Sequence, residues 1–237
     1  MSTYNINDKV GDIVIDNPAL SRVFEKEGVD FCCGGQQSIE EACQKQGLDS
    51  EALLRALEAG VTADETDVDV SGLSQTELVD HIEQTHHQYM RNELPRLDAY
   101  TAKVASVHGD KNRNLLKIRT AFMAMSTELM NHLMKEEQVL FPMVKDLDKS
   151  ETAPTFHCGL ISNPINQMVY EHIEVGTELE QLRELTDDYT APEWACNTYR
   201  AMLDGLEEME LDLHQHIHKE NNILFPRALA METEKGH

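Results

Sequence analysis

Residues 132–142 read H-L-M-K-E-E-Q-V-L-F-P, and residues 216–226 read H-I-H-K-E-N-N-I-L-F-P. Each copy sets a histidine and a glutamate four residues apart: His132 with Glu136, and His216 with Glu220. On a helix, positions i and i+4 share a face, one turn apart. A neutral imidazole and a carboxylate stacked in this way supply half of a metal site. Two such halves on two helices can grip two ions, with each glutamate able to bridge them. A single H-x-x-x-E arises readily by chance on a charged helix. Two copies, each followed at the same distance by Leu-Phe-Pro (Leu140-Phe141-Pro142 and Leu224-Phe225-Pro226), are a stronger signal. The competing explanation is an exposed charged stripe inherited by duplication. Against it, each phrase puts a polar residue where its helix otherwise faces the core, and a buried unpaired charge is costly.

Long helices must carry these phrases. A first helix is expected over 75–107, with Leu78, Ile82, Leu97 and Val104 on or near one face and a kink at Pro95. Gly109-Asp110 breaks it. A second spans 111–145, carrying Leu115, Ile118, Phe122, Met125, Leu129 and Leu133. The segment 148–163, with Pro154 and Gly159, reads as a loop. A third helix spans 164–186, with Pro164 just after the cap candidate Asn163. Residues 187–192 form a turn, and a fourth helix spans 193–230. Four long helices with three connections predict an up-down-up-down bundle, all-α, with the repeated phrases on its second and fourth members.

The other two helices should then contribute ligands. The third offers His172 in Y-E-H. The first offers the neighbours His86 and His87, and simple periodicity (78, 82, 86) prefers His86. Imidazole and carboxylate ligands with no thiolate pattern favour iron or manganese over Cu(I) or a structural zinc site. The set leaves open positions for O2, NO or an oxo bridge. A ferritin-like centre needs Glu-x-x-His on each of two helices. Here only Glu83-Gln84-Thr85-His86 fits, so that alternative is weaker.

Residues 1–60 read as a separate small helical unit. Pro18, after Asp16-Asn17, sits where a helix begins, and Leu20, Val23 and Phe24 follow before Gly28. Ser38 with Glu41 makes a capping box. Asp49 or Ser50 caps a short helix with Leu53, Leu54 and Leu57, ending at Gly60. Residues 61–72 (VTADETDVDVSG) are acidic and carry no helical period, so 61–74 is read as a linker to a bundle over 75–237.

Between those helices lies F-C-C-G-G at 31–35. Adjacent cysteines pair poorly, because a disulfide wants Cα atoms about 5.5–6 Å apart and neighbours sit about 3.8 Å apart. Cys32 and Cys33 on a Gly-rich turn are instead placed to contact a metal, carry NO or exchange with another thiol. A helix starting at Ser38 would lower a thiol pKa modestly. The plainer reading is two small buried hydrophobes in a tight turn. Cys43, Cys158 and Cys196 are read as structural.

Composition agrees with a globular protein that handles cations, and equally with a plain solvated acidic surface. The chain has 237 residues, 41% hydrophobic, and a net charge of −23 from 20 Lys plus Arg against 43 Asp plus Glu. That acidity argues against binding nucleic acid or an anionic membrane. No apolar run of about 18 residues offers a membrane span, and no secretory signal is visible at the start. Five irregularly spaced cysteines do not make a disulfide framework, so a reducing cytoplasm is the expected compartment.

These motifs resemble a known family. D-F-C-C-G-G-Q-Q, D-H-I-E-Q-T-H-H ahead of Leu94-Pro95, the two repeated phrases and Y-E-H-I-E-V-G occur in the order found in di-iron iron–sulfur cluster repair proteins, the RIC, YtfE or ScdA type, and span nearly the whole chain. The bundle resembles a hemerythrin-like domain. The resemblance implies two non-haem irons, oxo- and carboxylate-bridged, held by His87, His132, Glu136, His172, His216 and Glu220. It implies Glu128 and Glu171 near the metals as supporting or proton-path groups. It implies damaged iron–sulfur proteins as clients after nitrosative or oxidative stress, NO or O2 as small ligands, and is compatible with a homodimer. The function expected is repair by iron donation, NO handling or both, with Cys32 and Cys33 ferrying iron or NO. A hemerythrin-like O2 or NO sensor or store and a di-iron NO reductase are alternatives using the same ligands. The cysteine-bearing N-terminal unit favours transfer, because simple O2 storage has no need of it. The segment 148–163 is longer than the family's pattern, which puts partner contacts in doubt more than ligands.

Overall fold

A computed structural model describes residues 4–60 and 70–236. Among them the structure is helical, without strands. Most of the expected linker, 61–69, lies outside the described residues.

The chain divides into two compact units. One comprises Val79–Asp146 and Pro154–Leu213. The other comprises Met1–Leu78, Leu147–Ala153 and His214–His237.

The small unit begins with α1 (Val10–Asp16), which buries Val10, Ile13 and Val14. Their i, i+3, i+4 spacing was the signal for a helix not expected from the sequence. Pro18–Leu20 forms one 3-10 turn and runs into α2 (Ser21–Lys26). The helix expected from Pro18 is therefore split, with the proline opening its tighter first turn. α3 (Ile39–Gln46) starts on the expected capping box: Glu41 N–H donates to Ser38 Oγ, and Ser38 N–H donates to the Glu41 carboxylate. Gly47, at φ 72°, closes that helix in the left-handed conformation that glycine adopts without a Cβ penalty. For α4 (Ser50–Gly60), Asp49 is the cap, since its Oδ1 accepts from Glu51 N–H at 3.0 Å.

The long segments are compound helices. α5 (Gln75–Ile82) continues through a π turn, Glu83–His87, into α6 (Gln88–His108). α7 (Asn114–Lys135) continues through a π turn, Glu136–Leu140, into α8 (Phe141–Lys149). α9 runs Ser162–Leu185. α10 (Asn197–His218) continues through Lys219–Leu224 into α11 (Phe225–Glu234).

The Leu-Phe-Pro signatures account for two of these widened turns. A proline lacks an N–H and its ring presses on the carbonyl four residues back. For Pro142 and Pro226 that carbonyl belongs to Gln138 and Asn222, each inside a π turn. The N–H of Phe141 reaches instead to the Glu136 carbonyl, and that of Phe225 to the Glu220 carbonyl, five residues back. Pro95 lies inside α6. α6 runs through it to His108, and the widened turn lies upstream at 83–87.

Within the larger unit α6, α7, α9 and α10 close a ring. α7 packs beside both α6 and α9. Arg183 of α9 pairs with Glu210 of α10 at 2.8 Å. A Cβ on Gly205 of α10 would fall 2.9 Å from Leu97 of α6, so the glycine permits close approach there. Directions alternate. Arg119, early in α7, reaches Asp98 and Thr101 in the second half of α6. Asn114 reaches Leu185 at one end of the α7–α9 pair, and Lys135 reaches Glu171 at the other. The core holds Phe122, Met125, Leu206 and Met209, each 0% exposed. Burying each such side chain is worth about 1.5–3 kcal/mol. Three consecutive left-handed residues, Asp187–Tyr189 (φ 53–55°), turn the chain after α9. Asp188 N–H to Arg183 O at 2.9 Å helps hold them.

One surface cluster sets a pH dependence. Burial, then the charges of Glu128 and Glu174, push Glu178 up to about 7. A carboxyl raised above its unfolded value keeps its proton in the folded state, so stability falls as pH rises from the ordinary Glu range of about 4.3 to about 7. Glu178→Gln is expected to flatten that slope and raise the thermal midpoint at pH 8. Parallel melting curves for both proteins at pH 5 and pH 8 that keep the same separation would contradict this.

Candidate metal centre

Every expected ligand is buried. Glu136, Glu220 and His87 are 0% exposed, His172 and His216 1%, and His132 3%. Two groups of four side chains each bring ligand atoms within 4.8 Å of one another: His87, Glu136, His216 and Glu220, and His132, Glu136, His172 and Glu220. Glu136 and Glu220 occur in both. The two oxygens of Glu136 divide between histidines, Oε2 lying 3.4 Å from His87 Nε2 and Oε1 3.3 Å from His132 Nε2. His216 Nε2 lies 3.1 Å from Glu220 Oε1, on the expected i, i+4 face.

The far nitrogens set the tautomers. His132 Nδ1 lies 2.9 Å from Glu171 Oε2, and His87 Nδ1 lies 2.7 Å from Glu137 Oε1. A carboxylate only accepts, so each Nδ1 carries a proton, and Nε2, on the side of Glu136, is the nitrogen that would turn its lone pair to a metal. His132 Nε2 also meets His172 Nε2 at 3.2 Å. Lone pairs converging on a buried carboxylate repel one another unless a cation lies among them. This donor set therefore fits a metal.

Glu171 and Glu137 are themselves anchored. The hydrogen bond from His132, with others from Lys135 and Gln167, holds Glu171 down at about 2. Burial works upward on Glu137, but hydrogen bonds from Arg91 and His87 outweigh it and hold the carboxyl below its ordinary value. Glu137 was not anticipated; it follows Glu136 in the first phrase and faces a different helix. Glu128 is exposed, and its carboxylate meets Glu178 rather than a histidine.

Geometry separates the neighbours on the first helix. His87 faces Glu136, whereas His86 Nδ1 lies 2.8 Å from Asp212 Oδ1. Periodicity preferred His86, and the π turn at Glu83–His87 is the reason it misled. A π turn holds one residue more than an α turn, so the face of Leu78 and Ile82 continues at 87 instead of 86.

The cysteine turn sits in the small unit. Cys32 is 7% exposed, with its Sγ 3.9 Å from Cys33 Sγ and 3.3 Å from Asp30 Oδ1. These three residues form a third cluster with ligand atoms within 4.8 Å. Among the described residues no cysteine is in a disulfide. The expected lowering of a thiol pKa by the Ser38 helix does not hold for Cys32. Its hydrogen bond with Cys33, its burial and the charge of Asp30 drive it well above the ordinary thiol value. Among the other cysteines, Cys43 is buried, and Cys158 Sγ lies 3.5 Å from Met143 Sδ.

No helix among the described residues is long and apolar enough to cross a membrane.

Comparison with known proteins agrees with this construction. Residues 6–60 match ScdA_N, a domain of unknown function (DUF542), and residues 78–228 match the hemerythrin HHE cation binding domain. The iron–sulfur cluster repair protein YtfE of Yersinia pseudotuberculosis serotype O:1b (strain IP 31758) is 38% identical over 226 residues, 95% of this chain and 98% of that protein. YtfE of Enterobacter sp. (strain 638) is 39% identical over 226 residues, 94% of this chain and 97% of its own length. YtfE of Yersinia pestis (strain Pestoides F) is 38% identical, with 95% and 98% covered. With a buried histidine–glutamate cluster in its hemerythrin-type region and this likeness along nearly all its length, the chain belongs to the YtfE family of iron–sulfur cluster repair proteins.

Proposed function

We propose that this is a cytoplasmic non-haem di-iron protein that restores iron–sulfur clusters damaged by nitrosative or oxidative stress, by donating iron, handling NO, or both. The observation that carries the reading is the pair of buried four-residue groups sharing Glu136 and Glu220. His87, His132, His172 and His216, with Glu136 and Glu220, would hold the iron.

Bound iron would supply redox capacity and open positions for a diatomic ligand. The chain's residues do the rest. Glu171 and Glu137 hold His132 and His87 by their Nδ1–H groups, fixing which nitrogen faces inward. The buried surround excludes bulk water from the ligand set. Iron as cargo leaves when its histidines exchange it for client ligands. Cys32 and Cys33 are the chain's own thiols for receiving it.

The test mixes iron-loaded protein with a nitrosylated [4Fe–4S] enzyme under reducing, oxygen-free conditions. Client activity should return while iron on this protein falls, and Cys32→Ala/Cys33→Ala should slow the return at least about tenfold. Reversible NO binding with no iron loss and no recovery would favour a sensor or store. Many turnovers of NO with a reductant and no client would favour a reductase.

A further inference from the structure

The two copies of the repeated phrase agree at the ligands and at Leu-Phe-Pro, and apart from exchanges among aliphatic residues differ at three positions, two in chemistry and one in the reach of an amide. Met134, Glu137 and Gln138 of the first copy stand where His218, Asn221 and Asn222 stand in the second. In the second copy all three meet the backbone of the cysteine turn. Asn222 Nδ2 donates to the carbonyls of Phe31 and Cys32 at 3.2 and 3.0 Å. Asn221 Nδ2 donates to the Cys32 carbonyl at 3.5 Å, and His218 Nδ1 lies 3.3 Å from the Phe31 carbonyl. In the first copy Met134 and Gln138 are exposed, and Glu137 is engaged with His87 and Arg91.

The turn is shaped to receive Asn222. A Cβ on Gly35 would fall 2.5 Å from Asn222 Oδ1 and 2.7 Å from the Phe31 carbonyl. A Cβ on Gly11 would fall 3.0 Å from the same Oδ1. Gly11 N–H donates to the Gly35 carbonyl at 2.8 Å, closing the seat. Gly35 of F-C-C-G-G and Gly11 of α1 thus leave room for one amide, which is 8% exposed. The Phe31 ring covers the His218 ring at 5.6 Å between centroids.

We infer that Asn222, with His218 and Asn221, is the positioning residue for the Cys32–Cys33 turn, so that the second copy of the phrase serves both as a ligand helix and as the receptor for the dithiol. The π turn Lys219–Leu224 holds Glu220 and Asn222 together, which ties the dithiol's backbone to the turn that carries Glu220. This rests on the reading that the dithiol takes part in transfer.

The experiment uses the full iron-loaded chain and two variants, Asn222→Leu and Gly35→Ala, with helix content checked by circular dichroism. Iodoacetamide labelling is followed at each cysteine by mass spectrometry, beside client restoration per bound iron. Losing the buried amide contacts should free the turn and speed labelling of Cys32 about tenfold or more, with restoration per iron falling by a similar factor. Either variant that folds carries the test. Unchanged Cys32 labelling in a folded variant overturns the inference. Normal restoration by Cys32→Ala/Cys33→Ala overturns the dithiol reading, and with it any role for Asn222 in transfer, while the labelling arm separately reports whether Asn222 holds the turn.

Discussion

Purified without oxygen, the protein is expected to carry about two iron ions per chain, and His132→Ala/His216→Ala to retain less than about a tenth of that metal. The magnitude follows from where the two histidines sit. His132 belongs to one ligand group and His216 to the other, so the double variant weakens both. It also leaves Glu136 and Glu220, each 0% exposed, facing less metal. A carboxylate that hydrogen-bonds a ligand histidine typically tunes metal affinity by about 10–100-fold, and loss of the ligand itself should exceed that. Elemental analysis of the two proteins decides it. Zinc alone, or equal metal in both, would show that the repeated phrase is a structural relic and would remove the di-iron reading.

Chelation should destabilise the fold. Iron that binds only the native state at about 100–1,000 times its dissociation constant stabilises by about 2.7–4.1 kcal/mol, and the metal-free protein forfeits that. It also keeps converging carboxylates in a dry interior without a counter-charge. Glu136→Gln should therefore behave oppositely in the two states. Metal-free, the variant gains stability over the metal-free parent, because a buried charge is gone. With iron supplied it gains little, because a residue shared by both candidate ligand groups is gone. Chemical denaturation of both proteins, with and without chelator, measures all four stabilities. Indifference of the parent to chelator would sink the argument.

Much of this was legible in local patterns. The i, i+4 histidine–glutamate pairs mark a ligand face because helix periodicity is a property of the backbone alone. The capping box at Ser38 and Glu41 formed as expected because its bonds close within four residues. The two prolines after Leu-Phe cause the π turns at Glu136–Leu140 and Lys219–Leu224, which the expected unbroken helices over 111–145 and 193–230 did not include.

What the sequence determined by itself is the chemistry on offer: four histidines and two glutamates at helical spacing, two vicinal thiols beside glycines, and enough apolar positions for a bundle. Tertiary structure decided which of those groups meet. Nothing nearby in sequence announces the π turn that advances the inner face to His87 and sends His86 to Asp212. The Cys32 thiol is driven upward by its hydrogen bond with Cys33, by its burial and by Asp30 rather than lowered by the helix at Ser38. Asn222 meets the cysteine turn across 190 positions of chain, a contact that neither segment's period encodes. Periodicity assigns a residue to a face. Only packing says what that face meets, because burial and long-range hydrogen bonds depend on every element at once.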